Sequence, residues 1–160
     1  ELLLLTGFSP DSPVVLEKMP LPDVSRAALV NPQEDRQQAL GNNYELRSGR
    51  MGNAGSNQEL HKKQRQTELD ENQMFASLET LGDQIRSCQT EWEAACAKEQ
   101  AQRAVWQSAV RKRELGTMAE GEYLEIYSQY MEEKGNQAQA SIRFLLAMEE
   151  YDWAKKGLMD

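Results

Sequence analysis

The chain has 160 residues, a formal net charge of −8 and an isoelectric point near 4.8, with 39% hydrophobic and 28% charged residues. Because its lysines and arginines are interspersed with glutamates, the overall charge would repel a phosphate backbone, and nucleic acid is not an expected partner. The longest apolar run at the N-terminus, residues 2–5, is far below the roughly 18 residues of a membrane-spanning helix, so no transmembrane segment is expected.

Residues 1–31 are predicted to be the end of a preceding helix followed by a proline-rich extended connector. "ELLLLTG" resembles the last turn of a helix, and no signal peptide is recognisable, so we expect a fragment or a processed product. Four of the five prolines, at positions 10, 13, 20 and 22, lie in "SPDSPVVLEKMPLPDV". Each of them favours extended backbone. Residues 14–16 are able to pair as a short edge strand in this connector.

A helix is predicted over residues 32–51. Asn31 suits the N-cap, Pro32 the first helical position, and Glu34 and Asp35 the first turn, where the helix dipole favours anions. The following "GNAGSN", residues 52–57, is typical of a turn that reverses the chain. A helix that continues through this stretch is the alternative, because glycine costs only about 1 kcal/mol in a helix.

One long helix is predicted over residues 58–115, which contain no proline and a single glycine, Gly82. Its apolar residues alternate at spacings of four and three, which is the heptad pattern of a coiled coil. At a rise of about 1.5 Å per residue, this helix would be some 85 Å long. The seam positions are Met74, Leu78, Leu81, Ile85, Cys88, Trp92, Ala95, Trp106 and Ala109, with polar Glu99 and Gln102 between the two runs.

Gly116 and Thr117 interrupt the helical pattern, which then resumes over residues 118–156. We therefore predict an all-α fold in which residues 32–160 form a long antiparallel coiled-coil hairpin with Gly116 at its tip. "IRFLLAMEEYDWA" is apolar over more than one face, which predicts two neighbours for this helix. Gly157 suits its C-terminus. The apolar positions are Met118, Tyr123, Leu124, Tyr127, Met131, Ala138, Ile142, Leu145, Met148, Tyr151 and Trp153.

Catalysis has no basis in the sequence, and we expect a protein that is not an enzyme and that holds no cofactor or metal. His61 is the only histidine, and the neighbouring lysines indicate a solvated basic turn. No nucleophile motif and no glycine-rich loop after a strand occurs. The acidic pairs at 132–133 and 149–150 are typical of a solvated face, and no Glu-x-x-His motif of a di-metal bundle is present.

The cysteines and the aromatic residues have structural interpretations. Cys88 and Cys96 would lie about 12 Å apart along one helix, so they cannot pair with each other. They are expected to be buried apolar residues, with an intermolecular disulfide as the alternative. Core packing is expected for the aromatic residues, and a ligand box is the alternative. These residues are Trp92, Trp106, Tyr123, Tyr127 and Trp153.

The order of these features resembles the C-terminal half of the TolC-like outer membrane efflux protein family. The resemblance is carried by "LLLLTGFSPDSPVVLEKMPLPD" after a helix end, a helix with "QQALGNNYELRSGR", a long helix, and "RELGTMAEGEYLEIYSQYMEEKGNQAQASIRFLLAMEEYDWAKKGL" as a final hairpin. In that family two such halves form a protomer and three protomers form a tunnel. The hairpin tips engage the periplasmic adaptor of a tripartite pump.

The resemblance implies an export component of the cell envelope, on the extracytoplasmic side. It implies a periplasmic-adaptor-like coiled-coil partner and a homo-oligomer, which would be a trimer as in that family. The family's tip pattern, an Arg four residues before a Leu-Gly pair, matches this chain, although an alanine stands where a serine is common. The implied partner-binding residues are Arg111, Leu115, Gly116, Thr117, Met118 and Ala119.

One departure from the family suggests a second interpretation. Family members carry two membrane β-strands of about ten residues each between the helices assigned here to residues 32–51 and 58–115. Only "GNAGSN" stands there in this chain, so the resemblance is to the helical part of the family without those strands. The alternative function is a structural coiled-coil scaffold of the cell envelope with no transport role.

Overall fold

The computed structural model describes residues 20–51 and 54–158, and within these ranges the chain is helical with no strand. The all-α prediction is therefore confirmed for the described residues. The preceding helix end, the strand at residues 14–16 and most of the proline-rich connector lie outside them. The helices are α1 (Val24–Ala28), α2 (Pro32–Asn42), α3 (Tyr44–Met51), α4 (Asn57–Glu114) and α5 (Glu120–Lys155).

Helix α1 lies within the region predicted to be an extended connector, and that prediction is wrong for residues 24–28. The carboxylate of Asp23 accepts hydrogen bonds from the backbone N–H groups of Ser25, at 2.9 Å, and Arg26, at 3.3 Å. These bonds satisfy N–H groups that a helix start leaves without partners. The Arg26 side chain then ties α1 to α5 through Glu149, at 3.1 Å, and Asp152.

The single helix predicted over residues 32–51 is divided at Asn43, and that prediction is corrected. Asn43 has extended backbone, with φ −67° and ψ 119°, and its side-chain oxygen accepts the Leu46 N–H at 3.0 Å. Asparagine competes with the helix for backbone donors in this way. The predicted start is confirmed, because Asn31 accepts the Gln33 N–H at 3.2 Å and Pro32 is the first helical residue.

Helix α4 begins anew after α3, so the alternative of one continuous helix is wrong. Residues 54–56 are not helical. The Ser56 hydroxyl accepts the Glu59 N–H at 3.2 Å, and the Glu59 carboxylate accepts the Gly55 N–H at 2.8 Å. This reciprocal capping fixes the first turn of α4.

The two long helices pack against each other along most of α5. Beside the turn, Arg113 pairs with Glu120 at 2.8 Å. Farther from it, Gln102 donates to Gln129 at 3.2 Å. Farther still, the indole of Trp92 donates to the Ser141 hydroxyl at 3.0 Å. Residues more distant from the turn on α4 thus contact residues more distant from it on α5.

The core lies at the end of the helical pair away from the turn, where α2 packs on both long helices and α3 packs on α4 and α2. Tyr151, 1% exposed, donates its hydroxyl hydrogen bond to Asp35 at 2.7 Å. Cys88 and Cys96 are free and half-buried. The buried cluster contains Ala27, Ala39, Leu46, Met74, Leu78, Ile85, Phe144, Ala147, Met148, Tyr151 and Ala154, with Leu81, Cys88 and Trp92 packed against it.

Candidate partner-binding tip

The turn between α4 and α5 is a glycine-terminated helix end. The Gly116 N–H donates to the Arg113 carbonyl and the Thr117 N–H donates to the Lys112 carbonyl, both at 2.9 Å. This is the Schellman pattern, which satisfies carbonyls left over at a helix C-terminus. Gly116 has φ +67°, a left-handed conformation that side chains with a Cβ rarely adopt. The Leu-Gly-Thr sequence therefore dictates the reversal.

Arg113 joins the two arms of the turn. Its guanidinium pairs with the Glu120 carboxylate, with Nε and Oε2 2.8 Å apart, and lies 4.3 Å above the centre of the Tyr123 ring. A cation over an aromatic face adds an attraction of about 0.5–1 kcal/mol at an exposed site. Sequence reasoning missed Arg113. The available signal was a basic last turn on α4 followed, seven residues on, by an acidic first turn on α5.

The predicted tip residues lie within nine consecutive positions, 111–119, and most are exposed. Leu115 is 77% exposed. Arg111, Gly116, Thr117 and Ala119 are also exposed, and Met118 is half-buried. The Thr117 hydroxyl donates to the Lys112 carbonyl at 3.0 Å and Arg111 Nε donates to the Gln107 carbonyl at 3.3 Å. The tip thus presents an apolar side chain beside the cationic last turn of α4.

An aromatic layer supports the tip from below. The Trp106 and Tyr130 rings stack at 4.9 Å with an angle of 4°, and Tyr127 contacts both Trp106, at 6.1 Å, and Tyr123, at 6.4 Å. Ala109 is 1% exposed next to this layer. The aromatic residues here pack against one another beside the turn.

The start of α5 lacks a side-chain cap. Ala119 occupies the N-cap position, with φ −73° and ψ 145°, and its carbonyl accepts the Tyr123 N–H at 3.1 Å. Alanine is a poor N-cap because it offers no oxygen to the first backbone N–H groups. The start of α5 is therefore less stable than it would be with a serine at this position.

A second concave surface lies at the opposite end of the helical pair. A groove of about 720 Å³ runs between α4 and α5, lined by the apolar side chains of Leu81, Leu146, Trp153 and Leu158 together with Glu149 and Glu150. In residues 20–51 and 54–158, no group of three or more His, Cys, Asp or Glu side chains could hold a metal ion. Within the same ranges no helix is long and apolar enough to cross a membrane.

Comparison of the chain with protein-family models, with curated proteins and with solved structures found no match. A role for this protein must therefore be inferred from its own residues and their geometry.

Proposed function

We propose that α4 and α5 form an antiparallel coiled-coil hairpin that acts by binding, without catalysis, as a TolC-like helical component of an envelope export system. Its tip, residues 111–119, docks a periplasmic-adaptor-like coiled coil. The observation that carries the proposal is Leu115, which is 77% exposed at the end of α4. A large apolar side chain held in water by a fixed turn gains free energy when a partner covers it.

The pattern of contacts supports the hairpin. The α4 seam buries Met74, Leu78, Ile85 and Ala109 at heptad spacing. Contacts from Arg113–Glu120 to Trp92–Ser141 extend away from the turn on both helices. Sustained a/d-type burial between two helices joined by a tight turn is the arrangement of an antiparallel coiled coil.

Docking would work by packing one helical surface into another. The Leu115 side chain is large enough to insert, as a coiled-coil knob, between the side chains of a two-helix partner. Because the turn is already held in one conformation, less conformational entropy is lost when the partner binds. Burying an exposed leucine gives about 1.5–3 kcal/mol. Exposed Arg111 and Lys112 would add about 0–1 kcal/mol each through pairs at the rim. The protein is a passive element in this proposal, located on the extracytoplasmic side of the cell envelope.

Sedimentation velocity of the chain with a purified adaptor coiled-coil hairpin tests this function. Replacing Leu115 by Asn removes about 1.5–3 kcal/mol of apolar contact, which corresponds to roughly 10- to 150-fold weaker binding. Leu69→Asn is the matched control, because Leu69 is also exposed on α4, at 58%, but lies far from the tip. Absence of a complex with the unmodified chain, or equal losses in the two variants, would contradict the proposal.

A second function, a structural scaffold of the cell envelope with no transport role, is favoured by a different observation. Helix α5 carries half-exposed apolar side chains, among them Ile142 and Trp153, which suit lateral association. In this case the tip contributes no partner, and Leu115→Asn changes nothing but the local turn. The trimer implied by the resemblance belongs to the first function.

A further inference from the structure

The groove between α4 and α5, at the opposite end of the helical pair from the tip, exposes large apolar side chains to water. Leu146, Trp153 and Leu158 line it and are 55%, 54% and 63% exposed. Leu81, on the α4 side of the groove, packs against the buried cluster, so the groove lies next to the core. An apolar concavity with this much exposed surface marks a binding surface.

The groove follows a path around α5. At about 100° per residue, Glu149, Trp153, Leu146 and Glu150 succeed one another over an arc of about 100° around the helix axis. Beside Glu149, at one end of the arc, lies α1, whose Arg26 pairs with it at 3.1 Å. The groove is completed on α4 by Ser77, Thr80 and Leu81. It therefore leads from α1 across the surface of α5 to α4.

We propose that residues 14–18 of the same chain, Val-Val-Leu-Glu-Lys, occupy this groove. They lie outside the described residues, whose first is Pro20, and they precede α1. The occupant is thus a segment that is covalently tethered at the α1 end of the groove. The inference concerns a surface far from the tip and does not depend on the tip function.

The length of the segment matches the length of the groove. A chain that lies on a helix about 10–12 Å in diameter runs at a radius of about 10 Å, so an arc of about 100° is roughly 17 Å long. Five extended residues span about the same distance, at roughly 3.3–3.6 Å each. Residues 19–23 then connect the segment to α1, and Pro20 and Pro22 favour extended backbone there.

The sequence of the segment suits a groove that is apolar on one side only. In extended backbone, successive side chains point to opposite sides. Val14, Leu16 and Lys18 therefore share the side that meets the groove, and Val15 and Glu17 face the solvent. Two apolar side chains and a cation enter the groove in this arrangement, while the acidic side chain stays outside it.

The charges of the groove suit the same arrangement. Among the described residues, its lining includes Glu149 and Glu150 and no lysine or arginine. Arg26 pairs with both Glu149 and Asp152, so one cation stands beside three carboxylates on this stretch of α5. Because the segment leads into α1, Lys18 arrives at the Glu149 end. An exposed ion pair of this kind adds little affinity, and its main effect is to fix the register of the segment.

Tethering makes a small contact surface sufficient. A free peptide of five residues would bind such a groove weakly, whereas a segment joined to α1 by a short connection acts at an effective concentration in the millimolar range. Prolines at positions 13, 20 and 22 restrict the backbone on both sides of the segment, so less conformational entropy is lost on docking. No second molecule is needed to cover the groove.

Hydroxyl-radical footprinting of the full chain, read by mass spectrometry, tests the occupant and its register. Leu16→Asp places a charge against the apolar groove and should weaken docking roughly tenfold or more, so oxidation of Trp153 should rise. Val15→Asp is the matched control, because it introduces the same charge one position away, on the solvent side, and should leave Trp153 unchanged. Trp106, at the other end of the helical pair, is the internal reference.

The apolar run at residues 2–5 is the competing occupant. If it filled the groove, Leu3→Asp would raise the oxidation of Trp153 and Leu16→Asp would not. Circular dichroism should show equal helix content in all three aspartate variants. The proposal is overturned by an effect of Leu3→Asp alone, by equal effects of Leu16→Asp and Val15→Asp, or by oxidation of Trp153 that no variant changes.

A second footprint reverses the roles of the segment and the groove. Trp153→Ala removes the largest apolar side chain of the groove, so oxidation of Leu16 should rise. Leu69→Ala, at a similarly exposed site on α4 outside the groove, should leave Leu16 unchanged. Oxidation of Leu16 that is the same in both variants would contradict docking in this groove.

Discussion

Gly116→Ala is the substitution that most directly measures how the turn is held. Gly116 has φ +67°, and a Cβ there would meet no other atom within 4 Å among the described residues. The cost therefore comes from backbone conformation alone, because an L-residue loses about 1–2 kcal/mol in the left-handed region. Since alanine also reduces the freedom of the unfolded chain, by about 0.4–1 kcal/mol, we expect a net loss near 1 kcal/mol.

Gly121→Ala is the matched control for this change. Gly121 lies in the first turns of α5, and a Cβ there would also meet open space. Its backbone is helical, and a helical glycine is less stable than alanine by about 0.5–1 kcal/mol. The same chemical change, five residues away, is thus expected to be neutral or stabilising.

Urea unfolding followed by circular dichroism measures both variants. We expect the Gly116→Ala midpoint to fall at unchanged slope, and the melting temperature to fall by about 2–4 °C. The Gly121→Ala midpoint should stay or rise. Equal shifts in the same direction would refute the conclusion that backbone conformation at Gly116 holds the turn. A changed slope would instead indicate that the unfolded state has been altered.

Three further outcomes are expected. Ala119→Ser supplies the missing cap of α5 and should raise the free energy of unfolding by about 0.5–2 kcal/mol, which urea unfolding measures, and no gain would count against the N-cap assignment. Trp106→Phe removes a buried indole N–H that has no partner among the described residues. It should therefore lower the free energy of unfolding by less than the roughly 3–5 kcal/mol typical of losing a buried aromatic side chain. Burial, and next the hydrogen bond to Asp35, raise the pKa of Tyr151 above its ordinary value of 10.0. The contribution of the Tyr151 hydroxyl to the free energy of unfolding is therefore complete below about pH 10 and is lost as pH rises further. Tyr151→Phe should make the free energy of unfolding fall less steeply above about pH 10, and an unchanged dependence on pH would contradict this.

Local sequence signals predicted the elements whose causes are local. Asn31 and Pro32 mark the start of α2, and Gly116 marks the end of α4, because capping and left-handed backbone depend on a few adjacent residues. The seam residues Leu78 and Ile85 are buried as the heptads predict. The break at Asn43 was missed, since a single asparagine is compatible with both helix and cap.

Long-range contacts could not be predicted from the sequence. Gly82 was only an isolated glycine in a helical pattern, yet a Cβ there would lie 2.9 Å from Cγ of Pro32. The glycine permits the close approach of α2. Gly157 likewise has φ +81°, and a Cβ would lie 2.4 Å from the backbone of Asn42. Both explanations involve a distant segment, which periodicity does not identify.

In the candidate site too, local features could be predicted from the sequence and long-range contacts could not. The tip residues lie within nine consecutive positions, so the turn could be placed from its Leu-Gly-Thr run. The link from Arg113 to Glu120 and Tyr123 depends instead on how the two helices meet. Apolar residues on two faces of α5 predicted two neighbours for its last turns, and this is confirmed, because α5 packs on both α4 and α2. Only the packing of α4 and α2 shows which apolar side chains of α5 lie inside.

Hydrogen exchange of the chain, with and without an adaptor coiled-coil hairpin, tests the proposed function most directly. Peptides covering residues 111–119 should exchange more slowly in the complex, because docking covers the exposed turn. Peptides around the partly exposed Ile142 of α5, which lies far from the turn, should be unaffected. Protection confined to α5, or none at the tip in a complex that demonstrably forms, would contradict docking through Leu115 and Gly116.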